Sequence, residues 1–388
     1  MKIAQLLPDD KFSDAAYNLF EKASPNTSTY YVPKSSSQKE LKYIKKFTPI
    51  FISTQSRVLG SFVKELLAYD LIVLHSLNGF NSKVVSKISK YTNRPKIIWI
   101  GMGYDYYDLI YNDMSESYLV HTHLIAKELE GLNKKSSIKI AFRQAKKGIK
   151  KIIFQEKTKE ELLNYIDYFS PVLPSEYIVL KNKLSISAKY IRWNYGVNAA
   201  LYEDKNGPKV KYSKKNILLG NSATLTNNHA EALKLIYDLE LQFDQIICPL
   251  SYGDKDYREY ITNYGHTLFN SKFKPLIRFM PLEEYYELTQ SCPVVIMNHV
   301  RQQAGGIISS MLYQGATIFI NKKSPIYDFY HRQGITIFTT DELEENPKLL
   351  EYRLNDQEIF FARNVLRSNF GMDRAIKNTL NLLNLSEA

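Results

Sequence analysis

Residues 293–320 read PVVIMNHVRQQAGGIISSMLYQGATIFI. The run from Pro293 to Met297 is apolar on consecutive residues, as a strand buried on both faces is. A polar turn carrying Arg301 and the pair Gly305–Gly306 follows, then a short helical stretch of small residues. Gly315 leads straight into a second apolar run, Thr317–Ile320. Strand, helix and strand in this order form a βαβ unit, which joins parallel strands. Further runs of the same kind lie to both sides. Toward the N-terminus they are Ile3–Leu7, Leu71–His75, Lys96–Ile100, Tyr168–Val172, Lys189–Trp193, Asn216–Leu219 and Gln245–Cys248. Toward the C-terminus the run is Thr336–Phe338. Helical patterns lie between them, among them Ser61–Ala68, Asn228–Leu239 and Leu282–Gln290, and a long helix is expected over about 356–385.

The alternation breaks once, at residues 202–215 (YEDKNGPKVKYSKK), a polar stretch with Gly-Pro and no apolar period. It reads as a linker between an N-terminal domain, 1–201, and a C-terminal domain, 216–388, with the last helix able to cross back. A chain of 388 residues is long enough for two cores. The expected fold class is therefore α/β, with two Rossmann-like domains facing across a cleft. In open α/β sheets ligands bind beyond the carboxyl ends of the strands.

Composition sets the class. A 44% apolar and 23% charged chain is that of an ordinary globular protein. Two cysteines, Cys248 and Cys292, lie in apolar runs and make no disulfide framework. The N-terminus has acids where a signal peptide needs an apolar stretch, so a cytoplasmic location is expected. The net charge is +11, and two short stretches account for the excess: residues 134–161 with a local +7, and residues 34–46 with a local +4. Clustering of this kind argues for one or two basic patches and against a nucleic-acid groove. If helical, residues 138–153 place Ile138, Phe142, Ala145, Ile149 and Ile152 on one face. Arg143, Lys146, Lys147 and Lys150 then fall on the other. That is the pattern of a helix on an anionic membrane surface, and equally of a surface helix packed on a core.

Several motifs carry chemistry. Asn216-Ile-Leu-Leu-Gly-Asn-Ser222 ends a strand in Gly220, Asn221 and Ser222, with Asn227 or Asn228 placed to cap the next helix. Such a turn exposes backbone N–H groups to an anion, although Gly, Asn and Ser also suit a plain βα turn. In the 293–320 unit, Arg301 offers a fork of donors for a phosphate, and Gly305 lets a ligand approach the backbone. Asp105 lies just past Lys96–Ile100, where a carboxylate can act as general base, and His75, ending LIVLH, is a second candidate. Asp254-Lys-Asp256 has the form of a metal-holding pair but stands in a charged loop and reads as a solvated turn. His121 and His123 are two apart on a helical pattern and cannot share a metal. No metal and no cofactor are expected.

The second half resembles the bacterial 4-acetamido-4,6-dideoxygalactose transferases, the TDP-N-acetylfucosamine:lipid II N-acetylfucosaminyltransferases of enterobacterial common antigen synthesis. The likeness rests on ILLGNS, on Asn227–Leu233 and on CPLSYG (Cys248–Gly253). It continues through Leu282–Cys292, VRQQAGG (Val300–Gly306) and IFTTDEL (Ile337–Leu343), in matching order and spacing. The first half matches through Gly103–Asp105 and the His75 region. The resemblance implies a GT-B fold and a hexosyltransferase. That enzyme moves a deoxyamino sugar from a TDP-sugar to a lipid-linked saccharide, as a peripheral protein on the cytoplasmic face of the inner membrane. It also implies no metal-holding Asp-x-Asp. On this reading Gly220, Asn221, Ser222, Arg301, Gln302 and Gly305 hold the donor, Pro249 and Tyr252 border it, and Asp105 or His75 works on the acceptor. Two alternatives stay open: a transferase of another nucleotide sugar in O-antigen or capsule assembly, and a non-catalytic nucleotide- or glycan-binding protein of the same fold.

Overall fold

The computed structural model describes residues 1–34, 40–132, 157–204, 207–208 and 212–386. Two parallel sheets organise them. The first contains β1 (Ile3–Leu6), β2 (Ser28–Lys34), β3 (Ile50–Ser53), β4 (Leu71–His75), β5 (Lys96–Ile100), β6 (Tyr168–Ser170) and β7 (Lys189–Tyr190), in the order β3-β2-β1-β4-β5-β6-β7. The second contains β8 (Ile217–Leu219), β9 (Ile246–Pro249), β10 (Phe273–Leu276), β11 (Val294–Met297), β12 (Thr317–Ile320) and β13 (Phe338–Thr339), in the order β10-β9-β8-β11-β12-β13. Numbered within its own sheet, each runs 3-2-1-4-5-6, with a seventh strand added at the end of the first. Strand order therefore reverses between β1 and β4 in one sheet and between β8 and β11 in the other. These two switch points are where open α/β sheets bind ligands.

The apolar runs form central strands for the expected reason. All five residues of β4 and all four of β11 are buried, so each Ile, Leu or Val there contributes about 1.5–3 kcal/mol of apolar burial. Three strands carry no such signal. β3 and β10 are sheet edges, and Ile50 and Phe51 of β3 remain exposed. β10 contains Lys274 and Pro275, and β2 contains Pro33. In β10 proline and charge suit the edge position, and in β2, an interior strand between β3 and β1, Pro33 interrupts the strand pattern.

The chain forms two compact units: Met1–Asn112 with Arg143–Ala200 and Phe370–Ala388, and Asp113–Phe142 with Leu201–Asn369. Contacts thus place the described residues 113–132 with the second unit, where a division at 202–215 would leave them in the first. The long C-terminal helix is two helices, Asp356–Phe370 and Met372–Leu383, broken at Gly371. The second of these packs in the first unit beside helix Ser13–Ala23, and Trp193 Nε1 donates to Thr379 Oγ1 at 2.9 Å.

The polar tract after Ala200 is tied down where it is described. Arg363 Nε donates to Tyr313 O at 2.8 Å and its Nη2 to Pro208 O at 2.7 Å. Arg367 Nε donates to Tyr202 O at 2.8 Å. Gly207 has φ +59°, and a Cβ there would lie 2.5 Å from the Arg363 guanidinium carbon. A side chain at this position would therefore displace the arginine that holds the tract.

Candidate active site

In the second unit the switch point lies between the ends of β8 and β11. Gly220 directly follows β8 with φ +65°, and a Cβ on it would stand 2.4 Å from His229 Nε2. Only glycine lets the chain turn over that buried ring. Asn221 and Ser222 are buried, and their polar atoms feed a network centred on Asn227. Asn227 Nδ2 donates to Ser222 O at 2.9 Å and to Thr224 Oγ1 at 2.8 Å. Its Oδ1 accepts from Asn221 N at 3.0 Å and from His299 Nε2 at 2.8 Å.

Gln303 completes the network. Its Nε2 donates to Asn221 Oδ1 at 2.8 Å, and its Oε1 accepts from Thr226 Oγ1 at 2.7 Å. Nothing in the sequence distinguishes Gln303 from Gln302 beside it; the direction of the turn does. Asn228 stands at the N-cap position of helix His229–Asp238 without a side-chain cap bond. Its amide instead donates to Ser117 O at 3.1 Å and Asn298 O at 3.0 Å.

The residues expected to face a donor lie on the same edge. Arg301 is half-buried and its Nη1 donates to Gln302 O at 3.0 Å, folding the guanidinium onto the turn. Gln302 is buried. Ala304 holds φ +59°, a strained value for a residue with a Cβ. Helix Gly305–Gln314 begins there with no side-chain cap, and its positive end suits an anion. Pro249 ends β9. Tyr252, 53% exposed, accepts from Asn221 Nδ2 at 3.1 Å. Gly253, at φ +119°, passes so close to Ala223 that a Cβ would sit 2.2 Å from its carbonyl oxygen. Asp254 is the N-cap of helix Lys255–Phe269, accepting from Tyr257 N at 2.8 Å. Among the described residues no group of three or more His, Cys, Asp or Glu is arranged to hold a metal.

In the first unit the switch point lies between β1 and β4. Both expected bases are there, and both point inward. Asp105 is 2% exposed, and its carboxylate accepts from Leu77 N at 2.7 Å, Trp99 Nε1 at 2.8 Å and Met102 N at 2.7 Å. Burial still holds its carboxyl above the usual range, against those three donors. It is an anchor joining the ends of β4 and β5. His75 is 1% exposed, with Nε2 at 2.9 Å from Gln5 Oε1 and Nδ1 at 3.1 Å from Tyr195 OH. Burial lowers its pKa to about 3, so the ring is neutral and both nitrogens are engaged. Neither group is open to an acceptor hydroxyl.

Asp10 is a further carboxylate in the loops of this edge. It lies in the loop after β1, half-buried, and Oδ1 accepts from Phe12 N at 2.8 Å and Ser13 Oγ at 3.3 Å. Burial pushes its pKa up, and its charge acts on Tyr104, which is 58% exposed, and on Tyr195. From sequence it could not be told from Asp9 and Asp14. Those two hold the basic tract: Asp9 accepts from Lys42, Tyr43 and Ile44 N, and Asp14 from Lys45 and Lys46 N, at 2.7–3.1 Å. The expected membrane residues Arg143, Lys146, Lys147 and Lys150 lie outside the described residues.

A family model described as 4-alpha-L-fucosyltransferase, glycosyl transferase group 56, matches residues 186–360. That span contains each motif of the second unit described above. Solved structures match over the whole length. Anabaena HepE in complex with UDP and glucose is 12% identical, with 99% of this chain and 100% of that chain covered at TM-score 0.62. A glycosyltransferase from Rickettsia africae is 12% identical, with 100% and 98% covered at TM-score 0.63. The lipopolysaccharide outer core galactosyltransferase WaaB, in its apo form, is 11% identical, with 100% of both chains covered at TM-score 0.61. At such identities the likeness defines the fold, which is GT-B. Fold and family match together give the class: the chain is a nucleotide-sugar glycosyltransferase of the hexosyltransferase kind.

Proposed function

We propose that this enzyme transfers 4-acetamido-4,6-dideoxygalactose from a TDP-sugar to a lipid-linked saccharide, in the assembly of an enterobacterial common antigen-like polysaccharide. The observation that carries the reading is the family match over the second unit, whose turns hold Arg301 and an uncapped helix start at Gly305. Arg301 and the N–H groups of that helix bind the donor diphosphate and take up its charge as it leaves. Gly220, Asn221, Ser222 and Gln302 shape the turns around it, with Pro249 and Tyr252 at the border.

Asp10 Oδ2 takes the proton of the acceptor hydroxyl. That oxygen attacks the anomeric carbon, and the bond from carbon to diphosphate oxygen breaks. A carboxylate held above its usual pKa is suited to this exchange near neutral pH. The enzyme works at the cytoplasmic face of the inner membrane, attached peripherally through the basic stretch 138–153. Each Lys or Arg at an anionic surface contributes about 1 kcal/mol, enough for reversible attachment.

The test is transfer by the purified enzyme, with vesicles bearing a lipid-linked saccharide, from a panel of TDP- and UDP-sugars. Transfer from TDP-4-acetamido-4,6-dideoxygalactose above all others is expected. Preference for another donor replaces the sugar assignment, and absence of transfer from every donor argues for a binding protein of the same fold.

A further inference from the structure

The imidazole of His299, directly after β11, has one nitrogen whose role is settled and one that is open. Asn227 Nδ2 donates to the carbonyl oxygens of Ser222 and Thr224, so the other amide atom, Oδ1, is the acceptor. His299 Nε2, 2.8 Å from that Oδ1, must then carry the hydrogen. The ring is 1% exposed, and its burial, with Arg301 nearby, lowers its pKa to about 3, so it is neutral. It follows that Nδ1 bears a lone pair and no proton. It is buried and has no hydrogen-bond partner. A buried acceptor left unpaired is costly and commonly marks the place of a missing ligand group or water.

The position of this nitrogen selects the partner. His299 stands two residues before Arg301 and six before the uncapped start of helix Gly305–Gln314. Arginine and helix start suit anionic oxygens, whereas a lone pair repels them and takes a hydroxyl or an N–H. We infer that His299 Nδ1 accepts a hydrogen bond from a hydroxyl or N–H of the neutral part of the nucleotide sugar, making His299 a specificity residue of the donor site. The inference rests on the second unit being the donor unit. Charge and specificity are then divided over one turn. Arg301 and the helix hold what all nucleoside diphosphates share, and His299 reads a group that only some donors carry.

Two substitutions separate the ring's nitrogens. His299→Gln keeps a donor near the Nε2 position for Asn227 and removes the Nδ1 acceptor. His299→Asn keeps an acceptor near Nδ1 and gives up the bond to Asn227. Calorimetric binding of inorganic pyrophosphate, TDP, UDP, TDP-glucose and UDP-glucose is compared for the wild type and both variants. The expected result is a loss of about tenfold in nucleotide-sugar affinity for His299→Gln, or about 1.4 kcal/mol, largely restored in His299→Asn, with pyrophosphate binding unchanged. A loss confined to the sugar esters assigns the group to the sugar; an equal loss for TDP and UDP assigns it to the nucleoside. Unchanged affinities throughout would mean a trapped water and overturn the inference, as would loss of pyrophosphate binding, which would mark a collapsed turn. If the wild type binds none of these ligands, the donor reading itself falls.

Discussion

The two carboxyl edges share one strand order and differ in chemistry. The edge of the second sheet is built from neutral groups: Asn221, Asn227, Asn298, Gln303, Asn321 and the neutral rings of His229 and His299. Asn321 Nδ2 donates to Asn298 Oδ1 at 2.9 Å, extending the amide network to β12. A neutral network of this kind fixes the turns without adding a field of its own, leaving Arg301 and the helix start to set the potential. The edge of the first sheet is built from ionisable groups, and burial separates them. Asp105 and His75 are enclosed and committed; Asp10 is half-buried in the loop after β1. One fold thus supplies a surface suited to an anion and a surface suited to a proton transfer.

The sharpest way to break this contrast is to exchange the carboxylates of the first edge. Asp10→Asn is expected to lower kcat by about 10²–10⁴, the usual range for loss of a general base, with donor affinity unchanged. Asp105→Asn is expected to act on stability instead, because three donors lose a charged partner, each such bond being worth about 1.5–3 kcal/mol. Kinetics and chemical unfolding of both variants decide the matter. Full activity in Asp10→Asn, beside a well-folded but inactive Asp105→Asn, would reverse the roles.

On the second edge the corresponding test is Arg301→Ala. A charge-assisted hydrogen bond to the diphosphate contributes about 1.5–3 kcal/mol, so donor affinity should fall by about 10- to 150-fold, measured by calorimetry with TDP. Because the amide network does not depend on the guanidinium, thermal stability should hardly move. Unaltered TDP affinity would remove the phosphate assignment and leave the second edge without a charged partner for its ligand.

Acid sensitivity follows from His75. Its pKa is 6.5 when unfolded and about 3 in the folded chain. Below pH 6.5 the unfolded chain takes up a proton that the folded chain refuses, so stability falls as pH drops from 6.5 toward 3. The slope is about 1.4 kcal/mol per pH unit for this one group. Both tryptophans, Trp99 and Trp193, belong to the first unit, so their fluorescence in urea titrations at pH 7, 6, 5 and 4 follows that unit. His75→Gln should flatten the dependence by about that slope. An unchanged pH profile in the variant would mean that the imidazole is charged or exposed in the folded chain, and the distinction drawn between His75 and Asp10 would fail.

How far this was legible in the sequence depends on what each residue faces. Leu71–Leu74 and Val294–Met297 announce themselves because burial on both faces leaves no polar position. Ser28–Lys34 and Phe273–Leu276 do not, because a proline interrupts each and Phe273–Leu276 is also an exposed sheet edge. The turns at Gly220 and Arg301 were readable, since a strand followed by small polar residues can do little else. The position of Asp105 and His75 at strand ends was readable as well, but not their direction. A strand end can turn a side chain to the edge or beneath it, and that choice is made by partners distant in sequence: Gln5 and Tyr195 for His75, Leu77 and Trp99 for Asp105. Asp10 was hidden among Asp9 and Asp14, and long-range bonds to residues 42–46 alone tell the three apart.

The smallest expected effect concerns Asp254, the carboxylate that follows β9 on the neutral edge. Its Oδ1 is engaged by Tyr257 N, which makes it a helix cap, and its own N–H donates to Ala223 O at 2.7 Å. Asp254→Ala should therefore cost about 1 kcal/mol of stability, as loss of an Asp N-cap does, and leave transfer activity near the wild-type level. Chelator should likewise leave the rate unchanged if the diphosphate charge is met by Arg301 and the helix start. The paired measurement is initial rate with and without EDTA, in wild type and Asp254→Ala, followed by readdition of Mg²⁺ or Mn²⁺. A rate lost to chelator, restored by the ion in the wild type and not in the variant, would make Asp254 a metal ligand. The second edge would then gather its charge from an acid and a cation, and the contrast between the two sheets would need to be redrawn around that ion.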